Sequence, residues 1–225
     1  MRLNKYLSLC GVASRRKADQ IIKQGRVKIN SQVVKELGIK INPEKDEVLV
    51  NNKPCQVKEY AYLALNKPRA YVCTRADFKG EKSVYKLLPE KYHHLKIAGR
   101  LDKNSEGLLI LSNDGDFIYR LTHPKFKHEK EYQVELSDKL SSENLLKLKK
   151  GVKLEEGLAR FDKIKKIDDK KYKIIIHQGW KRQIRRMFEE IGYKTDELSR
   201  VRIGKLEIDD LDLGKYKKIS KNQVI

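Results

Sequence analysis

One loop carries the residues best suited to chemistry. Residues 99–111 read GRLDKNSEGLLIL and place Arg100 and Asp102 between apolar stretches that are predicted to be strands. A rigid sheet that presents polar side chains in a loop is a common way to build a functional site. An isolated aspartate in a loop is more often a turn former, because its side chain bonds to nearby backbone groups. Asp102 is therefore a candidate carboxylate whose chemistry depends on its surroundings.

Two further segments supply groups that could act beside a carboxylate. Residues 181–187 read KRQIRRM. On a helix, Arg185 lies about 100° from Ile184, at the edge of the apolar stripe, and can reach inward to a semi-buried carboxylate that would otherwise protonate. Residues 130–132 read KEY. Tyr132 has the strand parity of the apolar residues that follow it, so its ring is expected to face the core or to floor a pocket.

A mixed α/β domain is predicted to position these groups. Its predicted strands cover residues 62–65, 71–74, 95–98, 108–111 and 132–136, a central strand at 174–176, and strands near 201–208, after which a basic tail follows. Predicted helices follow the turn at residues 113–115, the N-cap Ser141, and the apolar stripe that runs from Ile184 to Ile191.

A smaller domain is predicted before it. Helical spacing begins at Leu3, Ser14 is a plausible N-cap for a second helix, and Gly25 can end that helix. Short alternating strands follow at 27–29, 33–34 and 48–50. Because composition and motifs divide near residue 58, the sequence predicts an α+β protein with a domain over residues 1–58 and a second domain over 59–225.

The charge of the chain favours a polyanionic partner. Its 51 Lys and Arg oppose 31 Asp and Glu, which gives a formal net charge of +20. Each phosphate that a basic side chain neutralises releases condensed counterions, so such an excess suits nucleic acid. An abundance of lysine alone could reflect solubility, whereas clusters of arginine match phosphate geometry.

Cysteine usage and hydropathy exclude several classes of protein. Cys10, Cys55 and Cys73 are odd in number and widely spaced, which argues against a disulfide framework or a structural zinc site. No segment approaches the roughly 18 apolar residues of a membrane span, and the N-terminus lacks the apolar core of a signal peptide. We therefore expect a folded cytoplasmic protein.

The first turn of the second predicted helix carries charges of the sign that is unfavourable at a helix N-terminus. Arg15, Arg16 and Lys17 crowd a helix N-terminus, where cations oppose the helix dipole. A bound phosphate would compensate, since it suits both the helix N-terminus and the basic side chains. An exposed basic turn without a role is the alternative interpretation.

These residues belong to a recognisable pattern. Residues 3–7 (LNKYL), 11–18 (GVASRRKA) and 25–30 (GRVKIN) together resemble the alpha-L RNA-binding motif. That small domain occurs in a ribosomal small-subunit protein and in several RNA-modifying enzymes, where it packs against structured RNA. The resemblance implies RNA contacts from the basic side chains of this segment, namely Arg15, Arg16, Lys17 and Arg26.

The loop around Asp102 closely resembles the catalytic motif of pseudouridine synthases, in which Arg-Leu-Asp is followed by Ser or Thr and then by Gly-Leu-Leu. Asp102 matches the aspartate on which that family depends, and Ser105 stands where Thr is commoner. Residues 65–74, 130–132 and 181–187 resemble other motifs of the family, although Ala70 replaces a usual glycine. The whole chain is similar to the RsuA/RluB branch, which acts on ribosomal RNA.

The resemblance also implies roles for other residues. Tyr132 would stack on the target base and take part in proton removal, and a basic residue would pair with Asp102. Helix geometry selects Arg185 as that residue. Contacts to the RNA backbone are expected from Arg100, and from Arg182 and Arg186 on the opposite side of the helix, where a merely solvated face is the alternative.

The expected reaction detaches uracil from ribose, turns it and rejoins it through a carbon, with Asp102 acting on the ribose as nucleophile or as base. It requires neither metal nor small-molecule cofactor, and the sequence contains no Walker A loop or GxGxxG turn. We expect a monomer whose partner is ribosomal RNA. The alternatives are a non-catalytic RNA-binding factor for ribosome assembly and an enzyme of the same family that modifies transfer RNA.

Overall fold

Two compact units make up the protein. The computed structural model describes residues 1–76 and 79–225, and the units comprise Met1–Tyr60 and Ala61–Ile225. Among the helices of the described residues, none combines the length and apolar character that crossing a membrane requires. The predicted α+β fold is confirmed, since helices accompany largely antiparallel sheets.

The first unit combines two helices with a four-stranded antiparallel sheet of order β2-β1-β3-β4. Its elements are α1 (Leu3–Leu9), α2 (Arg15–Lys23), β1 (Val27–Ile29), β2 (Gln32–Val34), β3 (Val48–Val50) and β4 (Lys53–Pro54). The Ser14 hydroxyl accepts a hydrogen bond from the Lys17 amide at 3.4 Å, which confirms the predicted N-cap. Leu7, Ala18 and Val27 are completely buried, so one apolar core joins helices and sheet.

The second unit is built on a nine-stranded sheet. The strands of this unit, including four that lie outside the large sheet, are β5 (Tyr62–Lys67), β6 (Tyr71–Val72), β7 (Lys82–Ser83), β8 (Lys96–Ala98), β9 (Glu106–Ser112), β10 (Lys130–Leu136), β11 (Val152–Leu154), β12 (Gly157–Ala159), β13 (Lys163–Lys166), β14 (Lys171–Ile176), β15 (Thr195–Ile203), β16 (Leu206–Glu207) and β17 (Tyr216–Lys218). Its helices are α3 (Gly115–Thr122), α4 (Ser142–Lys150) and α5 (Gln183–Glu189). Two small separate sheets pair β6 with β7 and β11 with β12.

The order of the large sheet is β13-β14-β10-β15-β9-β5-β17, with β8 added at β9 and β16 at β15. Two predictions were wrong here. The strand at 174–176 lies next to the edge strand β13 rather than at the centre. The expected basic tail instead contains β17, which pairs antiparallel with β5 and forms the opposite edge.

Burial on both faces explains the unbroken apolar run of β9. Leu109 and Leu111 belong to one core cluster, whereas Leu108 and Ile110 pack on the opposite face with Phe117 of α3. All four leucine and isoleucine side chains of this run are inaccessible to solvent. A strand covered on both faces has no polar alternation, which is why the sequence reads LLIL. The loop that carries Asp102 therefore enters a rigid strand.

A parallel pair, β9 with β15, joins the two halves of the large sheet, and Gly107 lies at their closest approach. Gly107 aligns with Arg200 and has φ +101°, in the region that favours glycine. A Cβ atom at this position would lie 2.3 Å from the Arg200 carbonyl oxygen and 2.6 Å from its nitrogen. The sheet cannot relieve that overlap without separating the two strands.

We expect Gly107→Ala to lower the free energy of unfolding by about 3 kcal/mol or more, since it adds a backbone clash to the strain of a positive φ. Gly192→Ala is the matched control, because Gly192 has φ +84° and, within residues 1–76 and 79–225, no heavy atom lies within 4 Å of its ideal Cβ. The control should cost only about 1–2 kcal/mol, the penalty of the left-handed backbone. Urea unfolding of both variants measures the difference, and equal decreases would contradict the clash.

Candidate active site

A cavity of about 470 Å³ lies beside the loop that connects β8 to β9. Asp102 is half-buried at this cavity, and Leu101 before it is buried. Charged and aromatic side chains line the same space, among them Arg100, Asp102, Lys130, Tyr132, Trp180 and Arg200. The fold thus brings Asp102 and Tyr132, two of the three predicted catalytic residues, to one cavity, together with Arg100 and Arg182, two of the predicted RNA-binding residues.

Lys67 holds the loop that carries Asp102. This lysine ends β5 and is completely buried, and its ammonium group donates to the carbonyl oxygens of Pro68 at 3.0 Å, Lys103 at 3.3 Å and Ser105 at 2.6 Å. A buried charge is tolerated where hydrogen bonds satisfy it. Two of these carbonyls closely follow Asp102 in the turn, so the lysine fixes the backbone that presents the carboxylate.

The environment of Lys67 also affects its protonation. Burial lowers the pKa of Lys67 to about 8, while the negative charge of Asp102 acts in the opposite direction. Because this pKa stays above 7, the lysine is predominantly an ammonium ion at neutral pH. The lysine therefore places a fixed positive charge behind the loop that carries Asp102.

Arg185 faces inward, as helix geometry predicts, and is only 7% exposed. Its pairing with Asp102 stays a prediction, and the structure gives the guanidinium other hydrogen-bond partners. The guanidinium donates to the carbonyl oxygens of Asn104 at 2.9 Å and Thr195 at 2.7 Å, and it makes no direct ion pair with Asp102 within the described part of the chain. Burial and the positive charge of Arg182 lower the pKa of Arg185, whereas Asp102 raises it. Arg185 thus interacts with Asp102 through charge, and it separately holds the backbone of the same loop through the Asn104 carbonyl.

Tyr132 and Arg200 form the inner wall of the cavity. Tyr132 is 7% and Arg200 is 2% exposed, and an Arg200 Nη1 hydrogen bond of 3.4 Å reaches the tyrosine hydroxyl. The Arg200 guanidinium carbon lies 6.0 Å from the centre of the Tyr132 ring. Nε donates to the Leu108 carbonyl at 2.8 Å, while Nη2 is buried without a partner among the residues that the structure describes. An unpartnered buried donor can bind an acceptor that enters the cavity.

Sequence reasoning missed Arg200, although one signal was present. In β15, Leu198 and Arg200 share strand parity and are both buried. An arginine at an apolar parity position is rarely buried without a specific partner. The strand parity of β15 could therefore have identified this residue.

Comparison with known proteins decides the family. The model of the RNA pseudouridylate synthase family matches residues 61–190, and that of the S4 domain matches residues 1–48. The chain belongs to the RNA pseudouridylate synthase family. This pseudouridine synthase is 38% identical over 232 residues to the ribosomal large subunit pseudouridine synthase B of Bacillus subtilis, covering 99% of this chain and 93% of that protein.

A further relative and a solved structure support the same family assignment. The synthase is 34% identical over 229 residues to the ribosomal small subunit pseudouridine synthase A of Vibrio vulnificus, which covers 100% of this chain and 98% of that one. A crystal structure of a pseudouridylate synthase superposes with a TM-score of 0.71 at 30% identity and covers 99% of this chain and 97% of the other. The predicted resemblance to the RsuA/RluB branch is thereby confirmed.

The residues of the synthase that were predicted to contact RNA lie at the surface with differing partners. Arg100 is exposed at the cavity. Arg182 precedes α5 as its N-cap with φ +52° and pairs with Glu189 at 2.9 Å. Arg186 donates to Glu156 at 2.8 Å. Both arginines must exchange a carboxylate for a phosphate if they are to contact RNA.

The basic side chains of the S4 unit are more accessible. Arg15, Arg16 and Lys17 are exposed in the first turn of α2. Arg26 is exposed as well, and its Nε donates to the Asn51 side chain at 2.8 Å. The unfavourable positive charge at this helix N-terminus is therefore present in the folded protein, since no acidic residue occupies the first turn of α2.

Lys130 is a further cation of the synthase and is half-buried. Its ammonium group donates to the carbonyl oxygens of His177 at 3.0 Å and Gln178 at 3.4 Å. Burial lowers the pKa of Lys130 to about 8, and the positive charge of Arg200 acts in the same direction. Within the described residues, no group of three or more His, Cys, Asp or Glu side chains is arranged to hold a metal ion.

Proposed function

We propose that this enzyme converts a specific uridine of ribosomal RNA to pseudouridine, with Asp102 acting on the ribose once the target nucleotide has left its stack. The ribosomal subunits named for its relatives in Bacillus and Vibrio support the substrate class. Unstacking a base costs a few kcal/mol, which contacts inside an enzyme pocket can offset. We further propose that the enzyme acts as a monomer in the cytoplasm, the compartment that contains ribosomes.

One observation carries the assignment of Asp102. Its half-buried carboxylate faces a cavity of about 470 Å³ that is also lined by Tyr132 and Arg200. This volume lies within the roughly 300–1,000 Å³ of small-ligand pockets and suits a single nucleoside. Tyr132 would support the base by stacking, and the cations would position polar groups of the nucleotide.

The proposed reaction balances without another reactant. The bond between ribose C1′ and uracil N1 breaks, the base rotates, and a bond forms between C1′ and C5. The hydrogen on C5 leaves to solvent, and N1 gains a proton. The Asp102 carboxylate can act on the ribose as nucleophile or as base. The Tyr132 hydroxyl can take part in removing the proton from C5.

Release of the C5 hydrogen provides the test. Ribosomal RNA labelled with tritium at uracil C5 should lose tritium to water when incubated with the enzyme, in an amount equal to the pseudouridine formed. Binding of ribosomal RNA without any tritium release would contradict the proposal and favour a non-catalytic assembly factor. Release from transfer RNA alone would instead identify transfer RNA as the substrate.

We expect the S4 unit to contact the RNA backbone through Arg15, Arg16 and Lys17. Residues 2–28 contain eight basic residues and one acidic residue. Replacing all three with glutamine should weaken binding to ribosomal RNA and flatten its salt dependence by roughly 0.7–0.9 log units for each phosphate that is no longer neutralised. Glutamine preserves helix propensity and relieves the unfavourable charge at the N-terminus of α2, so folding should be unaffected.

The measurement is the dissociation constant as a function of salt concentration. Lys45→Gln is the control, because Lys45 is exposed in the same unit outside the predicted RNA-binding segments. It should leave the slope close to that of the unaltered enzyme. If the triple variant and the control have equal slopes, these residues do not contact phosphates.

A further inference from the structure

An exposed surface at the C-terminal end of α3 combines aromatic rings with a lysine. It consists of Tyr119, His123, Lys125, Phe126 and His128, which we call the aromatic ledge. The rings of Tyr119 and His123 have centroids 4.8 Å apart, those of Tyr119 and Phe126 lie 5.8 Å apart, and the Phe126 and His128 rings stack at 6.3 Å with an interplanar angle of 26°. Lys125 Nζ lies 5.1 Å from the Tyr119 ring and 4.8 Å from the Phe126 ring.

The ledge does not serve the hydrophobic core. On α3 it is Phe117 and Leu121 that face the core, and both are buried. Tyr119 is 46% exposed and Phe126 is 36% exposed. Large exposed aromatic side chains that cluster on a soluble surface commonly mark a binding site.

Local hydrogen bonds shape the backbone turn that carries Lys125 and Phe126. His123 caps a short 3-10 turn, Pro124–Phe126, and its Nδ1 accepts a hydrogen bond from the Lys125 amide at 3.3 Å. Lys127 ends this turn in the left-handed region with φ +49°. The ledge is therefore a preformed surface, and binding a flat ligand on it would require little ordering of the protein.

The ledge continues into the wall of the active-site cavity. Leu121 and Thr122, from the same end of α3, line the cavity, and Lys130, two residues after the ledge, lines it as well. An RNA strand whose target nucleotide occupies the cavity must pass over the protein surface beside the rim of the cavity. The α3 end is part of that rim.

The charge of the ledge suits a nucleic acid. Residues 119–128 contain Arg120, Lys125 and Lys127 but no acidic residue. Cations that lie beside aromatic faces are arranged to bind phosphate while the rings bind bases. An apolar protein partner would not require this excess of positive charge.

We propose that the aromatic ledge binds unpaired RNA bases next to the target nucleotide by stacking them on Tyr119 and Phe126, while Lys125 neutralises the adjacent phosphate. The proposal deepens the function proposed above, since it assigns recognition of the flanking single strand to this surface. Stacking accepts every base, so the ledge selects unpaired structure rather than sequence. It would thereby help to keep the target loop open while its uridine occupies the cavity.

The test compares binding of two RNA probes to the full-length enzyme. The first is a single strand of roughly 12 nucleotides with one uridine flanked by 2-aminopurine, whose fluorescence falls on stacking, and the second is the same strand annealed to its complement. Tyr119→Ala combined with Phe126→Ala should weaken single-strand binding about 5- to 100-fold and abolish the fluorescence change, as expected for one or two stacked bases. Binding of the paired probe should change by less than about twofold.

Matched variants separate stacking from charge and from misfolding. Tyr119→Phe combined with Phe126→Tyr keeps both rings and should retain binding, whereas Lys125→Gln should mainly flatten the salt dependence. Leu146→Ala removes another exposed apolar side chain of the same unit, 56% exposed, and should have no effect.

Unaltered single-strand affinity in the double alanine variant, or an equal decrease for the paired probe, would overturn the ledge proposal. Tritium release from ribosomal RNA by the unaltered enzyme tests the proposed function separately. The two failures are thus distinguishable.

Discussion

Replacing Asp102 with asparagine is expected to slow pseudouridine formation by roughly 10³-fold or more, because the amide can act neither as a nucleophile nor as a base. Asparagine has nearly the same size and leaves the loop carbonyls bound by Lys67 in place. Affinity for ribosomal RNA should change little, since many basic groups share the binding. Single-turnover tritium release and dissociation constants measure the two properties independently.

Asp138→Asn is the control for this experiment, because Asp138 is an exposed loop aspartate away from the cavity. It should retain full activity. If Asp102→Asn retained turnover within about tenfold of the unaltered enzyme, equal to roughly 1.4 kcal/mol of barrier, the assignment of Asp102 would fail.

The second large effect is expected for Arg185→Ala, which should be far worse for activity than Arg182→Ala. Removing the buried Arg185 guanidinium leaves the carbonyl groups of Asn104 and Thr195 without their donor. The Thr195 residue is buried, and an unsatisfied buried carbonyl costs about 1–3 kcal/mol, while misplacing a catalytic loop by an ångström can cost on the order of 10²-fold in rate. Arg182 is exposed, pairs with Glu189 and lines the cavity, so its removal takes away one charge that could face RNA but no support of the Asp102 loop.

The comparison requires single-turnover rates together with thermal unfolding of each variant. Arg185→Lys should show an intermediate rate, because a lysine keeps the positive charge but lacks the fork that reaches two carbonyls. A rate decrease in Arg182→Ala that equals or exceeds that of Arg185→Ala would refute the role given to Arg185. Normal unfolding with a reduced rate would locate the effect of Arg185 in the loop rather than in overall stability.

Local patterns in the sequence predicted much of the fold. The N-cap Ser14 and the buried run at Leu108 depend on residues close in the chain, and both were predicted correctly. The inward direction of Arg185 followed from the period of the helix. Membership of the family followed from motifs whose order and spacing are retained, including the loop at Asp102.

Contacts between distant segments could not be predicted in this way. Arg200 reaches Tyr132 only because β15 lies between β10 and β9, and no local pattern specifies that order. The same limit applies to β17, whose three residues resemble a charged tail until β5 pairs with them. Likewise, the period of the helix could not predict that the Arg185 guanidinium donates to the backbone carbonyls of Asn104 and Thr195, which belong to distant segments.

The strand order of the large sheet also bears on how a newly synthesised chain acquires its site. Arg200 donates to the Leu108 carbonyl, which precedes it by 92 residues, and the Asn66 side chain donates to the Leu211 carbonyl, which follows it by 145 residues. Such remote pairings slow folding, because loop closure must precede the contacts that stabilise it. A nascent chain that has exposed the Asp102 loop but not yet β15 lacks the wall formed by Arg200. The cavity is therefore completed only once β15 has emerged and paired between β10 and β9.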